Sequence, residues 1–506
     1  MTPANQQAAP LLDCLQTLAN RQRAAFHTPG HKQGQSAPAP LANLLGTQVF
    51  RADLPELPEL DNLFAPTGVI QAAQALAAAA FGAEQTWFLA NGSTCGIAAA
   101  VLATCCPGER LIVPRNAHQS LISALILSGA IPIWVEPDYD PDWQIALCPS
   151  PASIQAALAE HPDAKAVLLV SPTYHGICAD IASIAQITQQ YDIPLLVDEA
   201  HGAHLAFHPD LPPSALASGA DLAVQSIHKT LSALTQAAML HVQGNRLDRN
   251  RISQALQLVQ STSPSYLLLA SLDAARQQMA TTGEALLDQT LHLAAQARTQ
   301  LSQIPGLAVL TTSSQSATNR YQLDPTRLTI DVTGLGLTGF QADEILHQSL
   351  NVTAELPGLN TLTFILTPGN TPADIAYLIQ ACQSLAATPH SPPPTARLIF
   401  PVPWGQCARV EAPHPPPPTI SPRAAFFSPT LVLPTEQAIH QISAELICPY
   451  PPGIPVLLPG ELITAEAVAY LRQILASGGI LSGCADPTLD TLRVIRQTSN
   501  DETGKQ

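Results

Sequence analysis

Between residues 68 and 242, seven short apolar runs of β-type residues are separated, for the most part, by stretches rich in Ala, Leu and Gln. The runs are TWFLA, RLIVP, IPIWVE, AVLLVS, IPLLVDEA, LAVQSI and AAMLHV; typical spacers are GVIQAAQALAAAAFG and ADIASIAQITQQYD. A run that is apolar throughout, rather than at alternate positions, belongs to a strand covered on both faces. Helical spacers between such strands act as crossovers joining parallel neighbours. The pattern predicts an α/β fold built on a mostly parallel, seven-stranded sheet. Ligands of such sheets bind at the carboxyl ends of the strands, so the loops that follow the runs are where chemistry is sought.

The chain has 506 residues, enough for two or three domains at roughly 100–200 residues each. The expected division is an N-terminal arm and helix over 1–67, a large α/β domain over 68–305 and a small α/β domain over 306–386. A proline-rich linker over 387–423 and a C-terminal domain over 424–506 follow. Residues 243–303 read as long helices. From 327, RLTIDV, a Gly-rich turn, FQADEILHQSL and NVTAEL read as strand, helix and strand.

Charged residues make up only 12% and the net charge is −16. Arg246, Arg249 and Arg251 form the single basic cluster, so binding to nucleic acid is not expected, since phosphate contacts need grouped Lys and Arg. The ten cysteines include no C-x-x-C, which argues against a zinc ribbon or a redox pair and for reduced thiols. No basic-then-apolar leader opens the sequence and no apolar run reaches the ~18 residues of a membrane span. A cytoplasmic protein without membrane association is expected.

Four loops in the large domain carry the chemistry. In LANGSTCG, Ser93 and Thr94 open a helix, where hydroxyls, free N–H groups and the positive end of the helix dipole suit an anion; alone, this is also an ordinary cap. His118 in VPRNAHQS follows a strand at a helix start, a place equally suited to a capping histidine. Asp198 ends the apolar run of LLVDEAHGAH, where a carboxylate needs a cation or donors as partner. His201, His204 and His208 follow it, but H-x-x-H lacks the i, i+4 spacing of two ligands on one helix face and Gly202 opposes a helix there, so no metal is expected. Lys229 follows LAVQSI, beside Ser226 and His228, and is one of only four lysines, with Lys32, Lys165 and Lys505. A lysine at the inner end of a strand is desolvated, which lowers its pKa and makes it a nucleophilic amine. An aldehyde-capturing lysine, a carboxylate for a pyridinium nitrogen, a phosphate cradle and a stacking ring are together the requirements of pyridoxal 5′-phosphate. A competing signal, GLGLTG at 334–339 with Glu355 beyond it, imitates a dinucleotide fingerprint, but only one βαβ unit is available there, and a tight turn into a helix is the simpler reading.

The motifs FHTPGHKQG, LDNLFAPTGVI, FLANGSTCG, VPRNAHQS, SPTYHGICAD, VDEAHGAH, QSIHKTLSALTQ, STSPSYLLLASLDAAR, DPTRLTIDVTGLGL and CPYPPGIPVLLPGE span nearly the whole chain. Through them the sequence resembles the Orn/Lys/Arg decarboxylases, pyridoxal-phosphate enzymes of the aspartate-aminotransferase fold type I. The resemblance implies a large cofactor-binding domain with smaller α/β C-terminal domains, and decarboxylation of arginine, lysine or ornithine to the amine. It implies that Lys229 binds the cofactor covalently, that Asp198 keeps its pyridine nitrogen protonated and that Gly92, Ser93, Thr94 and Ser226 hold the phosphate, with His228 close by. It further implies that His118 stacks on the ring, that His201 flanks the ring or its O3′ side, and that Lys229, His228, Asp198 and His201 form the catalytic group. His31 and Glu445 or Glu461 would lie near the substrate side chain, with a dimer interface as one route. FHTPGHKQG begins at residue 26, so a short form without the receiver-like N-terminal domain of larger members is expected, and with it a homodimer or dimer-based oligomer. The short form tips the substrate expectation towards arginine, giving agmatine. An aminotransferase on the same cofactor, with Arg320 or Arg327 clamping the carboxylate, and a non-catalytic regulatory member are the alternatives.

Overall fold

The computed structural model describes residues 5–311, 321–390, 420–450 and 453–496. Most of the proline-rich stretch and Arg320 therefore lie outside the described residues. Near the N-terminus, helix α1 (Pro10–Asn20) is followed by two short helices, Ala39–Leu45 and Thr47–Ala52, and then by helix α2 (Val69–Phe81). Then come β1 (Gln85–Leu89), α3 (Gly92–Thr104), β2 (Arg110–Pro114), α4 (Gln119–Ser128), β3 (Ile131–Val135), α5 (Pro151–Glu160) and β4 (Ala166–Val170). The unit continues with α6 (Ile181–Gln190), β5 (Leu195–Asp198), β6 (Leu222–Gln225), the single-turn α7 (Ile227–Thr230) and β7 (Ala238–Val242).

All seven apolar runs enter one sheet, in the order β1-β7-β6-β5-β4-β2-β3. Only β7 runs against the rest, pairing antiparallel with both β1 and β6; the other contacts are parallel. The fold is thus the mostly parallel, doubly covered sheet that the runs imply. Strands β5 and β6 are buried along their whole length, because helices cover both faces.

Helix α3 shows how tightly this packing is set. Its sequence GSTCGIAAAVLAT is apolar all round, and every residue from Cys95 to Val101 is buried. It lies between the sheet, α4 and α8 (Arg249–Val259). A Cβ added at Gly96 would stand 2.7 Å from Val224 Cγ1 and 2.8 Å from Leu89 Cδ1. Gly96→Ala is therefore expected to push the helix off β6 and to lower stability by about 1–3 kcal/mol. Thermal unfolding measures this; an unchanged midpoint would show that α3 is free to shift.

The expected long helices at 243–303 are α8 and the 36-residue α9 (Tyr266–Leu301). The first half of α9 packs in the core beneath the large sheet, through Tyr266, Leu269, Leu272 and Met279. Its last turns, with Leu293, Ala297 and Leu301, enter the core of a second sheet. That sheet is formed by β8 (Ala308–Val309), β9 (Arg327–Asp331), β10 (Leu356–Pro357) and β11 (Thr361–Ile365), with helices α10 (Gly339–Leu350) and α11 (Pro372–Ala387). Its order is β8-β9-β11-β10, antiparallel throughout. One expectation needs correction here, and the tight-turn reading of GLGLTG agrees with the structure. NVTAEL is mostly irregular, with only its final leucine in β10, and the longer strand is TLTFI, in which Thr361 and Thr363 dilute the apolar signal. The glycines of GLGLTG turn the chain into α10 between antiparallel strands, an arrangement that lacks the parallel crossover of a dinucleotide site.

The C-terminal unit pairs β12 (Thr430–Pro434) with β15 (Thr491–Ile495), and β13 (Cys448–Tyr450) with β14 (Ile480–Ser482), around helix α12 (Ala465–Ala476). Among the described residues no helix is long and apolar enough to cross a membrane.

Candidate active site

The loops after β1, β2, β4, β5 and β6 converge at the carboxyl edge of the large sheet, and side chains from them meet. At the start of α3, Gly92 takes a left-handed φ of +74° and leads into Ser93 and Thr94. The Ser93 hydroxyl is hydrogen-bonded to the Ser226 hydroxyl at the end of β6. Two hydroxyls facing each other at the N-terminus of a 13-residue helix form an anion cradle from two elements that are remote in sequence.

Lys229 lies one short turn beyond Ser226, on α7, rather than on the strand itself. Its Nζ is 3.1 Å from His201 Nε2 and 5.9 Å from the centroid of the Tyr174 ring. The Tyr174 and His201 rings are 4.7 Å apart and tilted by 57°. Burial lowers the Lys229 pKa; the negative charges of Asp198 and Glu355 oppose that shift and the Arg327 guanidinium adds to it. A lysine so placed is more nucleophilic at neutral pH than one in water.

Asp198, the last residue of β5, is buried and accepts one hydrogen bond, from Ala200 N–H to Oδ1 at 3.2 Å. It forms no salt bridge among the described residues. Burial raises its pKa, while the Lys229 charge and the Ala200 amide pull it back. A buried carboxylate with so few partners calls for a cationic N–H close by. His118 is the N-cap of α4: its Nδ1 accepts the Ser120 N–H at 3.2 Å. Burial, with the charge of Lys229, brings its pKa down to about 4, so the ring is neutral at pH 7. The next residue, Gln119, donates its N–H to the Gly453 carbonyl, so the C-terminal unit closes over this histidine. His228 Nδ1 donates to the Ala237 carbonyl at 2.9 Å, which fixes its ring beside Lys229.

The remaining expected residues lie elsewhere within this chain. His31 pairs with Asp53 at 3.1 Å and packs edge-on against Phe50. Glu461 takes a two-pronged contact from Arg115 at 3.1 and 2.9 Å. Glu445 accepts the backbone N–H groups of Ala485 and Arg493 at 2.7 and 2.9 Å. Each carboxylate thus has a local structural task, one locking the C-terminal unit to β2 and the other closing its own fold. His204 faces Asp324, and His208 faces Asp288, both at 3.0 Å. Among the described residues no group of three or more His, Cys, Asp or Glu side chains is arranged to hold a metal ion.

Three residues of this site are not expected in it from the sequence: Tyr174 is not singled out, Arg327 is named only as a carboxylate clamp and Glu355 only beside GLGLTG. Tyr174 lies in SPTYHGICAD, after β4, with nothing local to set it apart. Arg327 opens β9 of the small sheet and donates from Nη2 to His201 Nδ1 and to the His201 carbonyl, at 3.2 and 2.9 Å. Glu355, at the edge of the same sheet, acts electrostatically on Lys229, Tyr174 and Arg327.

Comparison with known proteins gives a consistent family. Residues 9–374 match the family described as "Orn/Lys/Arg decarboxylase, major domain", and residues 418–484 match "Orn/Lys/Arg decarboxylase, C-terminal domain". An arginine decarboxylase of Bacillus subtilis is 40% identical over 493 residues, covering 97% of this chain and 99% of the relative. One of Bacillus anthracis is 41% identical over 500 residues, covering 97% and 98%. The constitutive lysine decarboxylase of Escherichia coli is more distant, 24% identical over 561 residues, covering 92% of this chain and 77% of the relative. In fold, the solved structure of that lysine decarboxylase superimposes with a TM-score of 0.79 at 20% identity, over 97% of this chain and 82% of its own.

Proposed function

The chain belongs to the Orn/Lys/Arg decarboxylases, and on that premise we propose that it is an arginine decarboxylase that uses pyridoxal 5′-phosphate and releases agmatine and CO2. That it decarboxylates a basic amino acid follows from the family; arginine is favoured because full-length relatives at about 40% identity carry that name. The observation that carries the reading is the Lys229–His201 pair, 3.1 Å apart, at the strand edge between buried Asp198 and the Ser93–Ser226 hydroxyls.

The residues present fit the cofactor on two counts of their own. Asp198 is buried with one amide donor and wants a cationic N–H, and the paired hydroxyls at the start of α3 want an anion. When bound, the cofactor supplies an electron sink for the pair left behind when CO2 departs. Lys229 would hold it covalently through Nζ and be released as a free amine when the substrate amine takes its place. Asp198 would keep a proton at the pyridine nitrogen. Gly92, Ser93, Thr94 and Ser226 would bind the phosphate. His118, neutral and capped in place, offers a flat apolar face against the ring. Tyr174 and His201 wall off water beside Nζ, and Lys229 or His228 is placed to deliver the proton that replaces CO2 at Cα.

Incubating the protein and cofactor with arginine, lysine and ornithine in turn, and identifying the amine, tests the reading. Arginine should be preferred by at least about tenfold in kcat/KM. A keto acid in place of CO2 would make the chain an aminotransferase. Preference for lysine or ornithine would overturn the substrate.

A further inference from the structure

Arg327 reaches the catalytic edge from the small sheet, and its chemistry constrains what it touches. A guanidinium only donates hydrogen bonds. Its Nη2 carries two protons, and two acceptors of one residue lie within reach: the His201 carbonyl at 2.9 Å and His201 Nδ1 at 3.2 Å. Nδ1 must therefore present a lone pair. A neutral imidazole then carries its single proton on Nε2, the atom 3.1 Å from Lys229 Nζ. An Nε2–H facing Nζ needs an acceptor there, and an ammonium has no lone pair to offer; a neutral amine has one. An imidazolium is excluded by the same logic, since it would aim an Nδ1–H at a donor.

We propose that Arg327 is a positioning residue: it fixes His201 as the Nε2–H tautomer, and His201 in turn holds Lys229 as the free amine. The small sheet thereby sets the protonation state of a lysine on the large one. The guanidinium is 1% exposed and its Nε and Nη1 have no hydrogen-bond partner among the described residues, so its charge acts at close range without a contacting carboxylate. The groups that bear on this pair come from every side. Asp198 at the end of β5 and Glu355 beside β10 favour the ammonium; Arg327 on β9 opposes it. His118 on α4 and His204 after β5, when charged, disfavour an imidazolium at His201, as Lys229 and Arg327 do. Tyr174 adds a ring face and no charge at neutral pH, because burial pushes its phenol far above the usual range. The consequence is kinetic. Nζ attacks an aldehyde carbon with its lone pair; the carbon–nitrogen double bond forms as the carbonyl oxygen leaves as water, taking both amine hydrogens. Only the unprotonated fraction of Lys229 enters this step.

The inference rests on Lys229 being the capturing amine, and the test separates the two ideas. Protein freed of cofactor and labelled with 15N-histidine should show His201 Nδ1 unprotonated and Nε2 protonated between about pH 6 and 8, the range in which a free histidine titrates; His201→Gln assigns the signals. In Arg327→Met the two tautomers should mix, and the pH midpoint for borohydride-trappable capture of pyridoxal 5′-phosphate should rise by about one unit, a roughly tenfold slower capture at neutral pH. Arg327→Lys, which keeps the charge but not the two-pronged donor, should restore the midpoint only in part. A protonated Nδ1 in the unaltered protein overturns the proposal whether or not the variants fold. So does an unchanged midpoint in a folded Arg327→Met. Capture at a lysine other than Lys229 would instead sink the reading of the site and leave the tautomer result standing.

Discussion

Lys229→Ala should abolish turnover, by roughly 10⁴-fold or more, the scale on which loss of a covalent nucleophile is felt in other enzymes. It should also remove the visible absorbance that the protein gains with pyridoxal 5′-phosphate. Among the described residues no other lysine stands where it could substitute. Lys32 donates to the His27 carbonyl within the N-terminal segment. Lys165 pairs with Glu109 at 3.6 Å and is 47% exposed, and Lys505 lies outside the described residues. The expected result has two parts that fail separately. Activity lost with the chromophore kept would mean that another amine carries the cofactor. Normal activity would end the assignment of Lys229 altogether. The cost to folding should be small, because a half-buried polar amine is removed and Ala is a good helix former on α7.

The large sheet was readable because its signal is local. Each of the seven strands is four to five residues long and mostly apolar, with its few polar residues, such as Asp198 and Gln225, mainly at the ends, as a strand covered on both faces requires. The small sheet was readable only in part, since TLTFI carries threonines at alternate positions and sits among loops that do not alternate with helices. The site divides along the same line. Asp198 ends a strand, and Ser93 and Lys229 follow within a few residues of one, on the helices α3 and α7, where the run itself points to them. Arg327 could be named only as a carboxylate clamp, because its contact with His201 spans 126 residues of sequence and two sheets. Glu461 shows the reverse. In sequence it is a carboxylate in a suggestive motif; in three dimensions it is held by Arg115, and the loss of either would loosen the C-terminal unit over His118. Pattern finds residues that share a strand end and is blind to partners that only tertiary closure supplies.

Asp198→Asn should separate cofactor binding from stability. The carboxylate is buried with a single amide donor, and burial raises its pKa, so in the cofactor-free protein its charge is a net cost. Asparagine is nearly isosteric and can still accept the Ala200 N–H. The cofactor-free variant should therefore unfold at the same temperature as the unaltered protein or slightly higher, as is common when a buried charge with incomplete compensation is replaced. With pyridoxal 5′-phosphate the order should reverse. A neutral amide cannot hold a proton at the pyridine nitrogen, so the gain in stability on binding should shrink by about 1.4 kcal/mol for every tenfold loss of affinity. Turnover should fall by at least about 10²–10³-fold, the magnitude seen when one preorganised electrostatic partner of a developing charge is removed. Unfolding curves with and without cofactor, beside the rate, provide the measurement. A variant that binds and turns over normally would show that the ring nitrogen does not lie against Asp198. One that is destabilised without cofactor would show that Asp198 is a structural carboxylate with a partner of its own. The two thermal curves matter as much as the rate, because only a residue held in readiness for a cation weakens the complex while leaving the free protein as stable as before.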